Sequence, residues 1–122
     1  MTVAMPILRT LAAIAALFLT PALAAAEEAF LAELEDVPLA PGLTEAPGGL
    51  LFDSADGRIV EAQASGEVPP EQLRQYYRET LTQLGWQNSG DMEFRRDNEV
   101  LRIRLDRSKK PLVVRFTLAP NR

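Results

Sequence analysis

The chain has no cysteine and no histidine in its 122 residues. Without cysteine there is no disulfide, no thiol nucleophile and no thiolate metal site. Without histidine, the commonest general base and the commonest transition-metal ligand are both missing. Serine–histidine–aspartate triads, histidine zinc sites and histidine-ligated haem are therefore excluded. Lysine occurs only at Lys109 and Lys110, beside Pro111 in a turn-forming stretch. No buried lysine is thus expected to activate Ser54, Ser65, Ser89 or Ser108, and none of these serines sits in a Gly-x-Ser-x-Gly or Ser-x-x-Lys motif. Gly48-Gly49 leads into a strand pattern rather than a helix, so it does not form a helix-capped phosphate loop. Asp53 and Asp56 flank a single turn. Their spacing does not match a calcium loop and reads as turn chemistry, and no pair of acids suggests the opposed carboxyls a glycosidase needs. No catalysis, metal or cofactor is expected. Aromatic residues make up 7% of the chain, with one tryptophan. Most fall on stripes that read as buried, which leaves few for stacking on bases and argues against nucleic acid as a partner.

What is present begins with a leader. Arg9 supplies a positive n-region, Leu11–Leu19 an apolar run of nine residues, and Pro21 a break. Two small-x-small sites follow, at Ala22-Leu23-Ala24 and Ala24-Ala25-Ala26. This is a secretory signal pattern, with cleavage expected near Ala24 or Ala26. The run is too short for the roughly 20 residues a bilayer-spanning helix needs, and no stop-transfer segment follows. The mature chain is expected to be periplasmic, with no stable membrane span and an envelope protein as its partner.

Residues 27–49 read as an acidic, proline-rich arm. Phe30, Leu31 and Leu34 fall at a short helical spacing, and Pro38, Pro41 and Pro47 favour an extended path. The apolar residues Phe30, Leu31, Leu34, Val37 and Leu39 give the arm a surface with which to dock on the domain that follows.

Residues 50–119 read as an α+β domain. Leu50–Asp53 and Arg58–Gly66 form a hairpin about Ser54-Ala55-Asp56-Gly57. A helix is expected from Pro69 or Pro70 to Leu84, with Leu73, Tyr76, Tyr77, Leu81 and Leu84 on one apolar stripe. Gly85 is placed to end it in the left-handed conformation, with Trp86 folding back on Leu81 in a Schellman motif. Three strands of period-two alternation follow: Met92/Phe94, then Leu101/Ile103/Leu105, then Leu112/Val114/Phe116/Leu118. Asp97-Asn98 and Ser108-Lys109-Lys110-Pro111 are the turns between them. The expected fold is two-layered: one amphipathic helix on an antiparallel sheet of about five strands, in the order β-β-α-β-β-β.

The series Pro38-Leu39-x-Pro41-Gly42-Leu43, Phe52-Asp53, Gly57-Arg58-Ile59, Tyr76-Tyr77, Leu81 and Leu84-Gly85-Trp86 resembles a group of small exported bacterial proteins of unknown function. The resemblance covers roughly residues 36–105. It implies an exported α+β domain and carries no catalytic residues.

The same alternation sorts Glu61, Gln63, Glu93, Arg95, Arg102, Arg104, Arg115 and Thr117 onto the wet face of the sheet. Charge is segregated along the chain: residues 27–93 hold 14 acidic and 3 basic residues, and residues 94–122 hold 9 basic and 3 acidic. Two uses of this face compete. Either the arginines pair across strands with Glu61 and Glu93, or Arg102, Arg104, Arg115 and Glu61 bind an anionic envelope ligand. The leading expectation for the whole chain is a non-catalytic periplasmic interaction module. Its contact surface would be a sheet edge, with the short strand Leu50–Asp53 as a candidate.

Overall fold

The computed structural model describes residues 29–121. The expected leader lies outside the described residues, as do Glu27 and Glu28 at the start of the arm. The elements are β1 (Ala29–Phe30), β2 (Pro38–Leu39), β3 (Thr44–Glu45), β4 (Leu50–Ser54), β5 (Gly57–Gly66), α1 (Pro70–Gln83), β6 (Gln87–Gly90), β7 (Glu93–Arg96), β8 (Glu99–Asp106) and β9 (Leu112–Pro120).

One helix lies against an antiparallel sheet, an α+β fold. The sheet has seven strands rather than about five: its order is β3-β5-β9-β8-β7-β6, and β4 also pairs with β5. The two additional strands are β3, from the arm, and β6, from the stretch after the helix. Neither shows the alternation that marks the others. β3 and β4 lie end to end on the same edge of β5, Thr44 and Glu45 opposite Ser65 and Ala64, Leu50–Ser54 opposite Glu61–Gly57. β1 and β2 form a separate two-stranded pair.

Alternation decides the core. Val60, Ala62 and Ala64 from β5, Val114, Phe116 and Leu118 from β9, Leu101 and Ile103 from β8 and Phe94 from β7 all point into one cluster. The register aligns them across strands, Ala62 with Phe116 and Phe116 with Ile103. The helix contributes Leu73, Tyr77 and Leu81, and the Tyr77 ring meets Phe116 edge-on at 5.7 Å.

The arm supplies the rest of that layer. Leu31, Leu34, Val37, Ala40 and Leu43 belong to the same buried cluster. Residues 31–37 do not continue a helical spacing. They close into a compact loop in which Leu31 N–H donates to the Val37 carbonyl (3.1 Å) and Val37 N–H to the Leu34 carbonyl (2.9 Å). Phe30, expected on the docking surface, is exposed. The arm passes β5 at very close range. A Cβ on Gly66 would stand 2.0 Å from the Gly42 carbonyl oxygen, so only glycine fits at 66.

The helix begins with Pro70 in its first turn and Glu71 near the positive N-terminus. It ends as the sequence predicts. Gly85 has φ 99°, its N–H donates to the Thr82 carbonyl (3.2 Å), and the Trp86 N–H donates to the Leu81 carbonyl (2.9 Å). These two bonds define the Schellman motif. Leu84, expected on the apolar stripe, is exposed. Arg96 covers this end: its guanidinium lies 4.2 Å from the Trp86 ring centre, donates to the Leu84 carbonyl and pairs with Asp36 of the arm. An alanine Cβ at 85 would meet only the Arg96 Cδ at an ordinary 3.7 Å. The cost of Gly85→Ala is then the backbone conformation alone. A loss of about 1 kcal/mol is expected in denaturant unfolding, with no change in the slope.

Met92 is buried as expected, but in the turn between β6 and β7, with φ 53°, rather than in a strand. The β4–β5 turn is closed by Ser54, whose hydroxyl donates to the Gly57 carbonyl (2.7 Å) and accepts from the Asp56 N–H (3.3 Å).

Candidate functional site

The solvent face of the sheet collects every residue that alternation assigned to it. Strand register then sets two rows across the strands. In one, Glu61 of β5 is opposite Thr117 of β9, which is opposite Arg102 of β8, which is opposite Glu93 of β7. In the other, Gln63 is opposite Arg115, and Arg115 is opposite Arg104. Positions 61, 63, 102, 104 and 115 are exposed.

The two rows differ in electrostatics. Glu93 accepts a hydrogen bond from Arg95 (3.3 Å) and forms an ion pair with Arg102 (3.3 Å), and Arg95 also donates to the Asn121 side chain (2.6 Å). That row carries its own counter-charge. Arg104 and Arg115 face each other with no ion pair or hydrogen bond to any carboxylate among the described residues. Glu61 makes no such pair either, so the expected cross-strand pairing is built on Glu93 and not on Glu61. Beyond Arg104, Asp106 accepts from the Ser108 hydroxyl (2.6 Å) and N–H (3.1 Å), and those bonds hold its carboxyl below the usual range.

A groove of about 520 Å³ runs beside the two arginines. Its walls include Arg104, Arg115, Gln63 and Thr117, the loop Ala46–Gly49, and Leu50. The loop is anchored by the Ala46 N–H, which donates to the Gln63 carbonyl (2.7 Å). These loop residues and Leu50 were not singled out from the sequence as groove residues. A proline–glycine stretch with no alternation gives no face to assign.

At one end of the sheet, β4 pairs only with β5. All five of its residues are exposed, with Leu50, Leu51 and Phe52 each about half so (55%, 50% and 53%). Register puts Leu50 and Phe52, opposite Glu61 and Ile59, on the solvent face, and Leu51, opposite Val60, on the core face. A second groove, lined by Ala32, Glu33, Glu35, Asp36, Leu51 and Arg58, lies beside it. Arg58 is held by Glu99 through two hydrogen bonds (2.8 and 3.2 Å), which keep its guanidinium above its ordinary pKa. One oxygen of Glu33, Oε1, is buried with no hydrogen-bond partner among the described residues.

Tyr77 is fully buried. Its hydroxyl is spent on the arm, accepting from the Ala40 N–H (3.1 Å) and donating to the Pro38 carbonyl (2.8 Å). Among the described residues no group of three or more acidic side chains could hold a metal ion, and no helix is long and apolar enough to cross a membrane. No family model, no curated protein and no solved structure matches the chain.

Proposed function

We propose that the chain is an exported, non-catalytic interaction module of the bacterial envelope, and that it takes an extended segment of a partner protein along β4. The export reading rests on the leader pattern of residues 1–26, and the non-catalytic reading on the missing histidine and cysteine. The observation that carries the contact is the state of β4. A strand paired on one edge only, with apolar side chains half-exposed on both faces, is a template for a further strand. The opposite end of the sheet is blunted by contrast. β6 is Gln87-Asn88-Ser89-Gly90, polar throughout, and its pairing to β7 shifts register between Asn88 and Gly90. Such a bulge disfavours strand addition.

Charge supports the kind of partner. Asp53 and Asp56 lie at the β4–β5 turn, and Glu33 and Glu35 line the groove on the other side of Leu51, where Asp36 and Arg58 are already paired with Arg96 and Glu99. An apolar segment flanked by lysine or arginine fits this surface, whereas a second copy of the chain would bring acid against acid.

The test is a nuclear magnetic resonance titration of the chain with a synthetic peptide alternating valine and lysine. Backbone amide shifts are expected along 50–54 and not along 87–90. Leu51→Lys/Phe52→Lys should abolish them while changing unfolding stability by no more than about 0.5 kcal/mol, since both sites are exposed. Shifts that survive the double variant, or that fall on β6, would refute the reading. Concentration-dependent self-association abolished by the same variant would assign the edge to a second copy instead.

A further inference from the structure

We infer that Arg104 and Arg115 form a binding site for a dianionic oxyanion, of the phosphomonoester class. The site lies on the middle strands of the sheet and does not rest on the β4 contact, although Leu50 of β4 borders its groove. Directly opposed residues on antiparallel strands have Cβ atoms roughly 4.5–5.5 Å apart, and like charges there repel. Of the other described arginines, Arg58, Arg74, Arg95, Arg96, Arg102 and Arg107 each meet a carboxylate within ion-pair distance. Arg78, exposed on the helix, does not.

Three acids on the same face could have answered the pair, and none does. Glu93 is shared by Arg95 and Arg102. Asp106 is engaged by Ser108 and feels Arg115 only beyond ion-pair distance. Glu61 stands opposite Thr117, one row away. The fold thus presents two adjacent guanidiniums without an ion pair in the wall of an open groove.

The charge count selects the ligand. A carboxylate brings one negative charge. A phosphomonoester brings about 1.5 to 2 near pH 7, with three acceptor oxygens for two donor forks. Gln63 and Thr117 add an amide and a hydroxyl beside the arginines. A side-chain atom at Gly48 would meet nothing within 4 Å, so the body of the ligand can leave over that loop. Glu61, on the same groove, accepts hydrogen bonds and repels a second anionic group. This favours the phosphomonoester of a polyhydroxyl compound over a polyphosphate.

The experiment is a titration of the whole chain at low salt with glycerol phosphate, sulfate and acetate, read by amide shifts. Glycerol phosphate and sulfate should shift Gln63, Arg104 and Arg115, and acetate should bind roughly tenfold more weakly. Arg104→Gln should weaken glycerol phosphate about tenfold. Arg104→Glu should abolish binding and raise the melting temperature, because it sets opposite charges across the strands. Should Arg104→Glu fail to fold, Arg104→Gln and Arg115→Gln carry the test.

Lowering the pH from about 7.5 to 5.5 should weaken glycerol phosphate, whose second proton binds near pH 6, and leave sulfate unchanged. The chain has no histidine to titrate in that window. Vesicles containing phosphatidic acid carry the same group on a lipid, and binding to both vesicles and glycerol phosphate is expected. Binding to vesicles alone, equal binding of acetate, or affinity unchanged in Arg104→Gln would overturn the site.

Discussion

Replacing Leu34 with alanine is expected to cost about 2–5 kcal/mol of folding stability, the full penalty for emptying a core position. Leu34 has no accessible surface and belongs to the same cluster as Phe116, Tyr77 and Phe94. It sits in a loop of an acidic, proline-rich segment, where a loose tail would tolerate the change within about 0.5 kcal/mol. The two outcomes differ several-fold, so one denaturant titration separates them. Leu39→Ala is the matched control: Leu39 packs against the cluster but is only partly buried, and should lose less. A single transition for both variants would place the arm inside the cooperative unit. An early transition confined to the Leu34 variant would mark it as a separately melting segment.

The reason the arm belongs to the core is geometric. One helix of 14 residues is about 21 Å long at 1.5 Å per residue. It cannot cover a face made by seven strands. Residues 31–43 cover what the helix leaves, and the close passage of Gly42 over Gly66 lets the chain turn under the end of β5. Arg96 then ties the two parts of the layer together, stacking on Trp86 at the helix end and pairing with Asp36 on the arm.

Local physics made some of this legible and not the rest. The helix stop was readable because Gly85 and Trp86 are determined by their immediate neighbours, through a cap that needs positive φ. β8 and β9 were readable because period-two alternation over eight or nine residues has no helical equivalent. β6 was missed because an edge strand that is polar on both faces has no pattern to show. Met92 reads as a strand residue because its apolar side chain, two before Phe94, fits the alternation, although it is a turn residue turned inward. The candidate site was half legible. Alternation assigned Arg102, Arg104 and Arg115 to one face. Which of them would find a carboxylate depended on register, and a register is a long-range property. Glu93 falls opposite Arg102, leaving Arg104 opposite Arg115, because the hairpin turns at 97–98 and 107–111 have the lengths they have.

Tyr77→Phe should release the arm at the cost of about 1–3 kcal/mol, without disturbing the helix. The ring would keep its edge-on contacts with Tyr76 and Phe116. Only the hydroxyl is lost, and with it the acceptor for the Ala40 N–H and a donor to the Pro38 carbonyl. Hydrogen exchange should rise at Ala40 and through residues 31–43 while α1 stays protected. Uniform loss of protection would show that the hydroxyl serves the whole core rather than the arm. The same group gives the fold an alkaline limit. Burial pushes the Tyr77 hydroxyl well above its ordinary value of 10.0, although the Ala40 N–H pulls in the opposite direction. The folded state thus holds this proton more tightly than the unfolded chain does. The associated stability is complete below about pH 10 and is lost as the pH rises above it. In the wild type, stability should fall over that range. In Tyr77→Phe the fall should be shallower, so the cost of the substitution should shrink as the pH increases. A cost that stays constant to pH 11 would mean that Tyr77 ionises as readily folded as unfolded, and that its hydroxyl is not sealed beneath the arm.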